Sequence, residues 1–317
     1  MLSCKLGVKV RTEMVEPLRE NLSHLQSMPS RPWEFRANPP RGREKPMHVE
    51  RVGFIGAGNI AESMIRGIIT SGFLDPGQIV VSDIRREQLD RLHKMLGPTI
   101  AASNRENVTQ STIVFLAVKP SQVVDVAHEI RTVARADQYV VSIAAGTSLK
   151  RIREALGGKP RLCRIMPNLS ASVRKSIISL FADPSLHTDD LAPVCSLLSR
   201  IGRVFRVDDE KLMAVITALS GSAPAYYLMM AEALVSYGVS QGMTREMATA
   251  MILGTMEGSA AWALNSKFSM GDLWRKVVTP GGTTEAGMQY YDERGFLDIF
   301  VEGLRRSTCR ARELGDQ

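Results

Sequence analysis

The chain changes character once, and that change limits its architecture more than any single motif does. Over residues 50–207, short apolar runs alternate with segments of helical period. Beyond about Asp209 no strand-like run returns. The expected strands are the run 51–58 ending in glycines, 79–83, 113–118, 139–144, 163–168, 176–181 and an edge strand at 203–207. Between them, 59–71, 86–96, 122–133, 148–156 and 191–201 have helical spacing. In the first of these, Ile60, Met64, Ile65 and Ile68 share one side. Gly97-Pro98 stops the second. Strands alternating with helices predict a doubly wound, mostly parallel sheet. Right-handed crossovers then place a ligand crevice at the carboxyl ends of the strands.

The fold class expected is therefore α/β: a Rossmann-type domain over 49–208, followed by an all-α domain over 209–317. Helices are expected at 212–219, 223–241, 244–264, 269–277 and 284–314. The Met-rich stretch 227–231 reads as core. These helices carry more apolar face than a small lone bundle needs, which predicts a subunit interface. Residues 1–48 are rich in Pro and Arg, lack an apolar signal region, and contain Glu13, Glu16, Glu20 and Glu34. They read as a disordered extension, or as an over-long start with initiation near Met47, without a catalytic role.

Composition excludes several classes. No run of about 18 apolar residues appears, so no membrane span or membrane partner is expected. The net charge is +7, but no basic block is interleaved with aromatics, so a solvated surface is expected rather than a nucleic-acid platform. Cys4, Cys163, Cys195 and Cys309 are widely spaced. No metal site or disulfide framework is expected, and a reducing cytoplasm fits.

Two segments carry chemistry. Gly56-Ala57-Gly58-Asn59-Ile60-Ala61 follows a strand and opens a helix, the form of a dinucleotide fingerprint. Gly56 and Gly58 allow a tight turn and close approach of a pyrophosphate; the helix N-terminus at Asn59 and Ile60 receives it. At the end of the second strand, Asp83 suits a ribose 2′-OH, whereas Arg85 and Arg86 suit a 2′-phosphate. NADPH is favoured, with NADH possible. Ala117-Val118-Lys119 and the small residues of 142–147 end two further strands at the crevice, and Met166-Pro167-Asn168 ends another. The second segment is Thr279-Pro280-Gly281-Gly282-Thr283-Thr284, a flexible hydroxyl-rich loop feeding a helix, which suits a carboxylate or phosphate. Ser222, ahead of Pro224, is read as a helix cap and as a pocket hydroxyl.

No Ser/His/Asp or Cys/His set is present, and the five histidines lie outside these motifs. That argues against an alcohol dehydrogenase, which must move a hydroxyl proton. Reduction of an already protonated imine needs hydride, orientation and carboxylate capture instead.

In order, GFIGAGNIA at 53–61, LAVKP at 116–120, VVSIAAGTS at 140–148, RIMPN at 164–168, ALSGSAPAYY at 218–227 and VTPGGTTEAG at 278–287 resemble the pyrroline-5-carboxylate reductase family. The resemblance implies reduction of 1-pyrroline-5-carboxylate to L-proline with NAD(P)H, in a pocket where two helical domains interlock, and hence a homodimer or larger homo-oligomer. It implies that Thr279, Gly281, Gly282 and Thr283 hold the carboxylate, and that the Thr284 hydroxyl contacts the ring nitrogen. It also implies that Asn104 lies near the adenosine, and Ala117, Val118 and Lys119 near the nicotinamide.

Two alternatives stay open. A β-hydroxyacid dehydrogenase resembles this architecture, but that family carries an Asn four residues after its junction Lys, and here Lys211 is followed by Val215. A non-catalytic dinucleotide binder is motivated by departures at Leu169-Ser170 and Trp274-Arg275-Lys276, and opposed by the retained PGG loop and Thr284.

Overall fold

The computed structural model describes residues 49–316. Residues 1–48, and the expectation placed on them, lie outside the described residues. Eight strands form one sheet: β1 (Val52–Ile55), β2 (Ile79–Ser82), β3 (Thr99–Ile100), β4 (Ile113–Leu116), β5 (Tyr139–Ser142), β6 (Arg161–Met166), β7 (Ser176–Ala182) and β8 (Gly202–Arg206). Their order is β3-β2-β1-β4-β5-β6-β7-β8. All neighbours are parallel except β6 and β7. The order reverses between β1 and β4, and ligand crevices form at such a switch.

Six helices cover the sheet: α1 (Asn59–Thr70), α2 (Arg86–Leu96), α3 (Asn104–Gln110), α4 (Val123–Ile130), α5 (Leu149–Leu156) and α6 (Ala192–Leu198). The central strands β1, β2, β4 and β5 are apolar at nearly every position because both faces are buried. Val52, Phe54, Ile113 and Phe115 join α1, α2 and α6 in one core, where the Phe54 and Phe115 rings stack at 4.8 Å. Ile55, Val114 and Leu116 join α3, α4 and α5 in the other. The period of two thus divides each strand between two cores.

Two elements were not visible in the sequence. β3 is only two residues long. α3 is held by a fully buried Asn107 rather than by a broad apolar stripe. Its Nδ2 donates to the Phe54 carbonyl at 2.9 Å and to Ser82 Oγ at 3.1 Å. Gly53 makes this possible, since a Cβ there would stand 2.1 Å from Asn107 Oδ1.

The rest of the chain is helical: α7 (Leu212–Ile216), a π turn (Thr217–Gly221), α8 (Ala223–Ser240), α9 (Arg245–Asn265), α10 (Met270–Val277), α11 (Thr283–Glu293) and α12 (Phe296–Asp316). Three expectations need correction. The first two helices of this domain are one continuous helix from Leu212 to Ser240, because the π turn carries the chain through where a cap was expected. The last helix is two, broken where Gly295 takes φ 63°. The Met-rich stretch is not core, since Tyr227, Leu228 and Met229 are exposed. By length and composition the Leu212–Ser240 helix is apolar enough to cross a membrane. That differs from the sequence expectation, because joining two segments lengthened the apolar run.

α1 lies against the Leu169–Val173 turn, and Gly67 is the point of closest approach. A Cβ at Gly67 would stand 2.1 Å from the Ala171 carbonyl, a backbone atom that has little freedom to move. Gly67→Ala is expected to destabilise the protein by about 1–3 kcal/mol. An unchanged urea midpoint would show that the turn is free to retreat.

Candidate active site

The sequence-predicted residues fall into two groups. The first gathers at the carboxyl edge of β1, β2 and β4. Gly56 takes φ 106°, and a Cβ there would stand 2.5 Å from the Ala117 carbonyl. Only glycine permits both. Gly56 N–H bonds the Ser82 carbonyl at 2.7 Å, and Ala117 N–H bonds that of Ile55 at 2.8 Å. The β1, β2 and β4 ends are thereby tied together. Val118 is partly exposed and Lys119 is exposed at the rim.

Gly58 is the N-cap of α1, without a side-chain cap, and a Cβ there would meet open space. The N–H groups of Gly58, Asn59 and Ile60 have no hydrogen-bond acceptor among the described residues. A bare helix start with free amides facing open space is the cradle a pyrophosphate needs. The residues therefore fit a dinucleotide, and Gly56, Gly58, Asn59 and Ile60 are those that would hold it.

Asp83 does a different job from the one expected of it. Its Oδ2 accepts the Ala57 N–H at 2.8 Å, and Oδ1 accepts the Arg85 N–H at 2.8 Å. Arg85 Nε and Nη2 add two contacts at 3.2 Å. The carboxylate is thus spent on holding the glycine turn, and only 6% of its side chain is exposed. Burial alone would raise its pKa. The bonds from Arg85 and from the Ala57 and Arg85 backbones outweigh burial and hold the carboxyl below its usual 3.8. Arg85 remains 61% exposed, and Arg86 pairs with Asp90 at 3.1 Å. Arg85, Arg86, Glu87 and Gln88 line an open pocket beside the turn. Gln88 Nε2 reaches back to the Ala57 carbonyl at 2.8 Å. Asn104 joins this group through Ser82, whose hydroxyl donates to Asn104 Oδ1 at 2.8 Å.

The second group is the loop before α11. Thr279, Pro280, Gly281 and Thr283 are exposed, while Gly282 and Thr284 are partly covered. Gly281 has φ 70°. Two of the amides expected to hold a carboxylate are already engaged. Gly281 N–H donates to Glu285 Oε2 at 2.8 Å, and Gly282 N–H to the Thr279 carbonyl at 2.9 Å. The open amides are those of Thr283, Thr284 and Glu285, the first turn of α11. The N-cap is Gly282, so Thr284 is not a cap. Its hydroxyl has no hydrogen-bond partner among the described residues. No hydrogen bond or ion pair joins this loop to the nucleotide crevice of the same protomer among the described residues.

Ser222 stands apart from both groups. It makes no side-chain cap bond, contrary to expectation, because the helix runs through it. The π turn before it meets the end of β6: Asn168 Nδ2 donates to the Ser220 carbonyl at 3.1 Å. Sequence reading missed the residues that join the two domains. Buried Arg164 pairs with Glu210 at 3.1 Å, and Glu210 also accepts the Leu149 N–H at 2.9 Å. A charged residue inside an apolar strand was the available signal for Arg164; Glu210 had none. Gly146, one of the small residues expected at the crevice, receives the end of α12: a Cβ at Gly146 would stand 2.4 Å from Gly315 N. Arg151 Nη1 secures that end by donating to the Gly315 carbonyl at 2.6 Å.

A nucleotide turn at a switch point, followed by an all-helical domain whose α11 start leaves amides open, fits the class of dinucleotide-dependent oxidoreductases. Residues 210–314 match the family model described as pyrroline-5-carboxylate reductase dimerisation, and residues 51–146 match one described as NADP oxidoreductase, coenzyme F420-dependent. A pyrroline-5-carboxylate reductase of Pseudomonas aeruginosa is 33% identical over 86% of this chain and 99% of its own. The solved pyrroline-5-carboxylate reductase of Coxiella burnetii superposes with a TM-score of 0.73 at 32% identity, covering 84% of this chain and 99% of its own. A pyrroline carboxylate reductase of Plasmodium falciparum, solved with NADP bound, superposes at 0.78 and 22% identity, covering 84% of this chain and 100% of its own. The chain belongs to the pyrroline-5-carboxylate reductase family.

The depressed Asp83 carboxyl makes a pH prediction. Its folded pKa lies below its unfolded value, so its bonds stabilise the fold fully above 3.8 and lose that effect as pH falls through the folded value. Asp83→Asn is expected to be less stable than wild type at neutral pH, with the gap closing in acid. Urea unfolding between about pH 7 and about pH 2.5 reads this. A gap independent of pH would mean the carboxylate charge contributes nothing.

Proposed function

We propose that this protein reduces 1-pyrroline-5-carboxylate to L-proline with NADPH, the last step of proline biosynthesis. The observation that carries the reading is the coexistence, in a chain of this family, of a bare glycine turn with free amides and a second helix start with free amides and the unpartnered Thr284 hydroxyl. The first fits a dinucleotide diphosphate. The second fits a small carboxylate with one adjacent hydrogen-bonding atom. Neither alternative, a β-hydroxyacid dehydrogenase or a non-catalytic binder, accounts for both within this family.

A dinucleotide held in the crevice would supply the hydride, and its addition to the carbon of the protonated imine leaves the ring nitrogen as the amine with no further proton needed. The chain's own residues orient and hold. Gly56, Gly58, Asn59 and Ile60 hold the diphosphate, with Asp83 keeping the turn in shape. Asn104 bears on the adenosine end, and Ala117, Val118 and Lys119 line the nicotinamide side. The first-turn amides of Thr283 and Thr284 hold the substrate carboxylate, between Thr279, Gly281 and Gly282. The Thr284 hydroxyl bonds the ring nitrogen, and Ser222 lines the pocket.

The dimerisation domain makes the protein a homo-oligomer. Its exposed Leu228, Met229, Met251, Trp262 and Leu297 are too numerous for a solvated surface. We place a second copy on this face, not a membrane, so that the anion loop of one copy completes the crevice of another. Cys163 and Cys195 are free thiols, which suits a cytosolic setting. Many exposed Arg residues are committed to neighbouring carboxylates, such as Arg245 with Glu232 and Arg306 with Glu302, which argues against a nucleic-acid platform.

Two experiments test the reading. Purified protein is expected to oxidise NADPH when given 1-pyrroline-5-carboxylate, and Thr284→Ala to lower kcat/KM about 10- to 100-fold. Because the Thr284 hydroxyl has no partner among the described residues, Tm is expected to stay constant. A folded variant with unchanged kcat/KM would remove Thr284 from the chemistry. For cofactor choice, Arg85→Ala with Arg86→Ala is expected to raise KM for NADPH roughly tenfold or more and leave KM for NADH nearly unchanged. Equal losses with both cofactors would mean that the arginines shape the turn and do not read a 2′-phosphate.

A further inference from the structure

The Leu212–Ser240 helix carries a proline at its internal junction, in the first turn of α8 just after the π turn. Pro224 has no N–H to give the carbonyl four residues back, which is that of Ser220. The backbone responds with the π turn at Thr217–Gly221, in which Ser222 N–H bonds the Thr217 carbonyl at 2.8 Å. The Ser220 carbonyl is left without a helical donor. The donor it finds comes from the other domain: Asn168 Nδ2, at 3.1 Å.

The Asn168 amide is aimed from both sides. Its Oδ1 accepts the Ser170 N–H at 3.2 Å, and its own backbone N–H donates to Ser176 Oγ at 3.0 Å. Asn168 and Ser176 are both buried. Neighbours on the same strand make the contact broader. At alternate positions before Asn168, Met166 Sδ would lie 3.3 Å from a Cβ on Gly221, and Arg164 bonds Glu210. One side of β6 and its extension thus grips the start of the helical domain at three levels.

We propose that Asn168 is a positioning residue, an interdomain latch that uses the carbonyl freed by Pro224 to hold the Ser222 end of α8 at the carboxyl edge of the sheet. The dinucleotide site lies wholly in the first domain, so the latch leaves cofactor binding alone. What it sets is the placement of the helical pocket wall over the crevice, and therefore the approach of the imine carbon to the hydride. Its effect on turnover rests on the imine-reductase reading above; its effect on the helix does not.

The test is a cycle of Asn168→Asp and Pro224→Ala in the full chain. Asn168→Asp keeps the shape, removes the donor and sets a carboxylate oxygen against the Ser220 carbonyl. Pro224→Ala restores an N–H in the helix for that carbonyl and makes the latch redundant. In the wild-type background, Asn168→Asp is expected to lower kcat about tenfold, with the Kd for NADPH within about twofold. Hydrogen exchange at the Ser222 amide is expected to quicken about tenfold. In the Pro224→Ala background both effects are expected to shrink to less than about threefold. A merely structural Asn168 would give equal losses in both backgrounds, and that result, or unchanged kcat and exchange in the folded variant, overturns the proposal. Should Asn168→Asp not fold, Asn168→Ala removes the donor without adding charge and takes its place in the cycle. A wild-type chain that turned over no imine would overturn the functional reading instead, and the exchange measurements would then decide the latch.

Discussion

The missing side chain at Gly56 is the constraint on which the nucleotide domain is arranged. At that point β1 stops, and its backbone passes so close to the Ala117 carbonyl that no Cβ fits. The approach draws the β1 and β4 ends together at the reversal of strand order, and a crevice opens above them. The turn is then held in place from β2: Asp83 takes the Ala57 N–H, and Gln88 the Ala57 carbonyl. With both backbone groups of Ala57 occupied by protein, the next amides along the chain are left for a ligand. Helix α1 begins there and sends Met64, Ile65 and Ile68 into the core beneath. A single steric allowance therefore links the strand order, the helix start and the binding surface.

Most of the sheet was legible because burial on both faces leaves continuous apolar runs that end abruptly in Gly, Asp or Lys-Pro. What was not legible has local causes. β3 is too short to show a period, and α3 is anchored by a polar residue, Asn107, whose partners lie in β1 and β2. The Leu212–Ser240 helix was divided at Ser222 because Ser-Ala-Pro has the composition of a helix start. In the fold, the proline is tolerated in mid-helix because another domain supplies the hydrogen bond it forfeits. No local pattern carries that information. The opposite error occurred at Gly295, where one glycine with a left-handed backbone breaks a stretch that reads as unbroken helix.

The candidate site was legible as two motifs but not as a division of labour within them. Asp83 and Arg85 looked like alternative readers of a ribose; in the fold they are partners, and the carboxylate serves the turn. The PGG loop looked like a row of free amides; Glu285 and Thr279 occupy two of them. Side chains that satisfy their own loop compete with the ligands the loop is expected to bind, and spacing alone does not reveal this competition. Family membership supplies the chemistry, while the geometry says which groups remain available for it.

The contact between Gly146 and Gly315 gives the helical domain a mechanical hold on the crevice. Helix α12 runs from Phe296, packed among Tyr291 and Phe300, to a backbone-on-backbone contact with the loop that follows β5. Tyr226 of α8 meets Phe300 near the same end. A helix of this length spans about 30 Å, so a tilt of about 5° at the aromatic end moves the other end by about 2.6 Å, close to the length of a hydrogen bond. Two glycines in contact have no side chains to absorb such a movement. α12 thus places the aromatic end, on the exposed apolar side of the domain, and the loop after β5 on one rigid element, so that the seating of either is geometrically tied to the other.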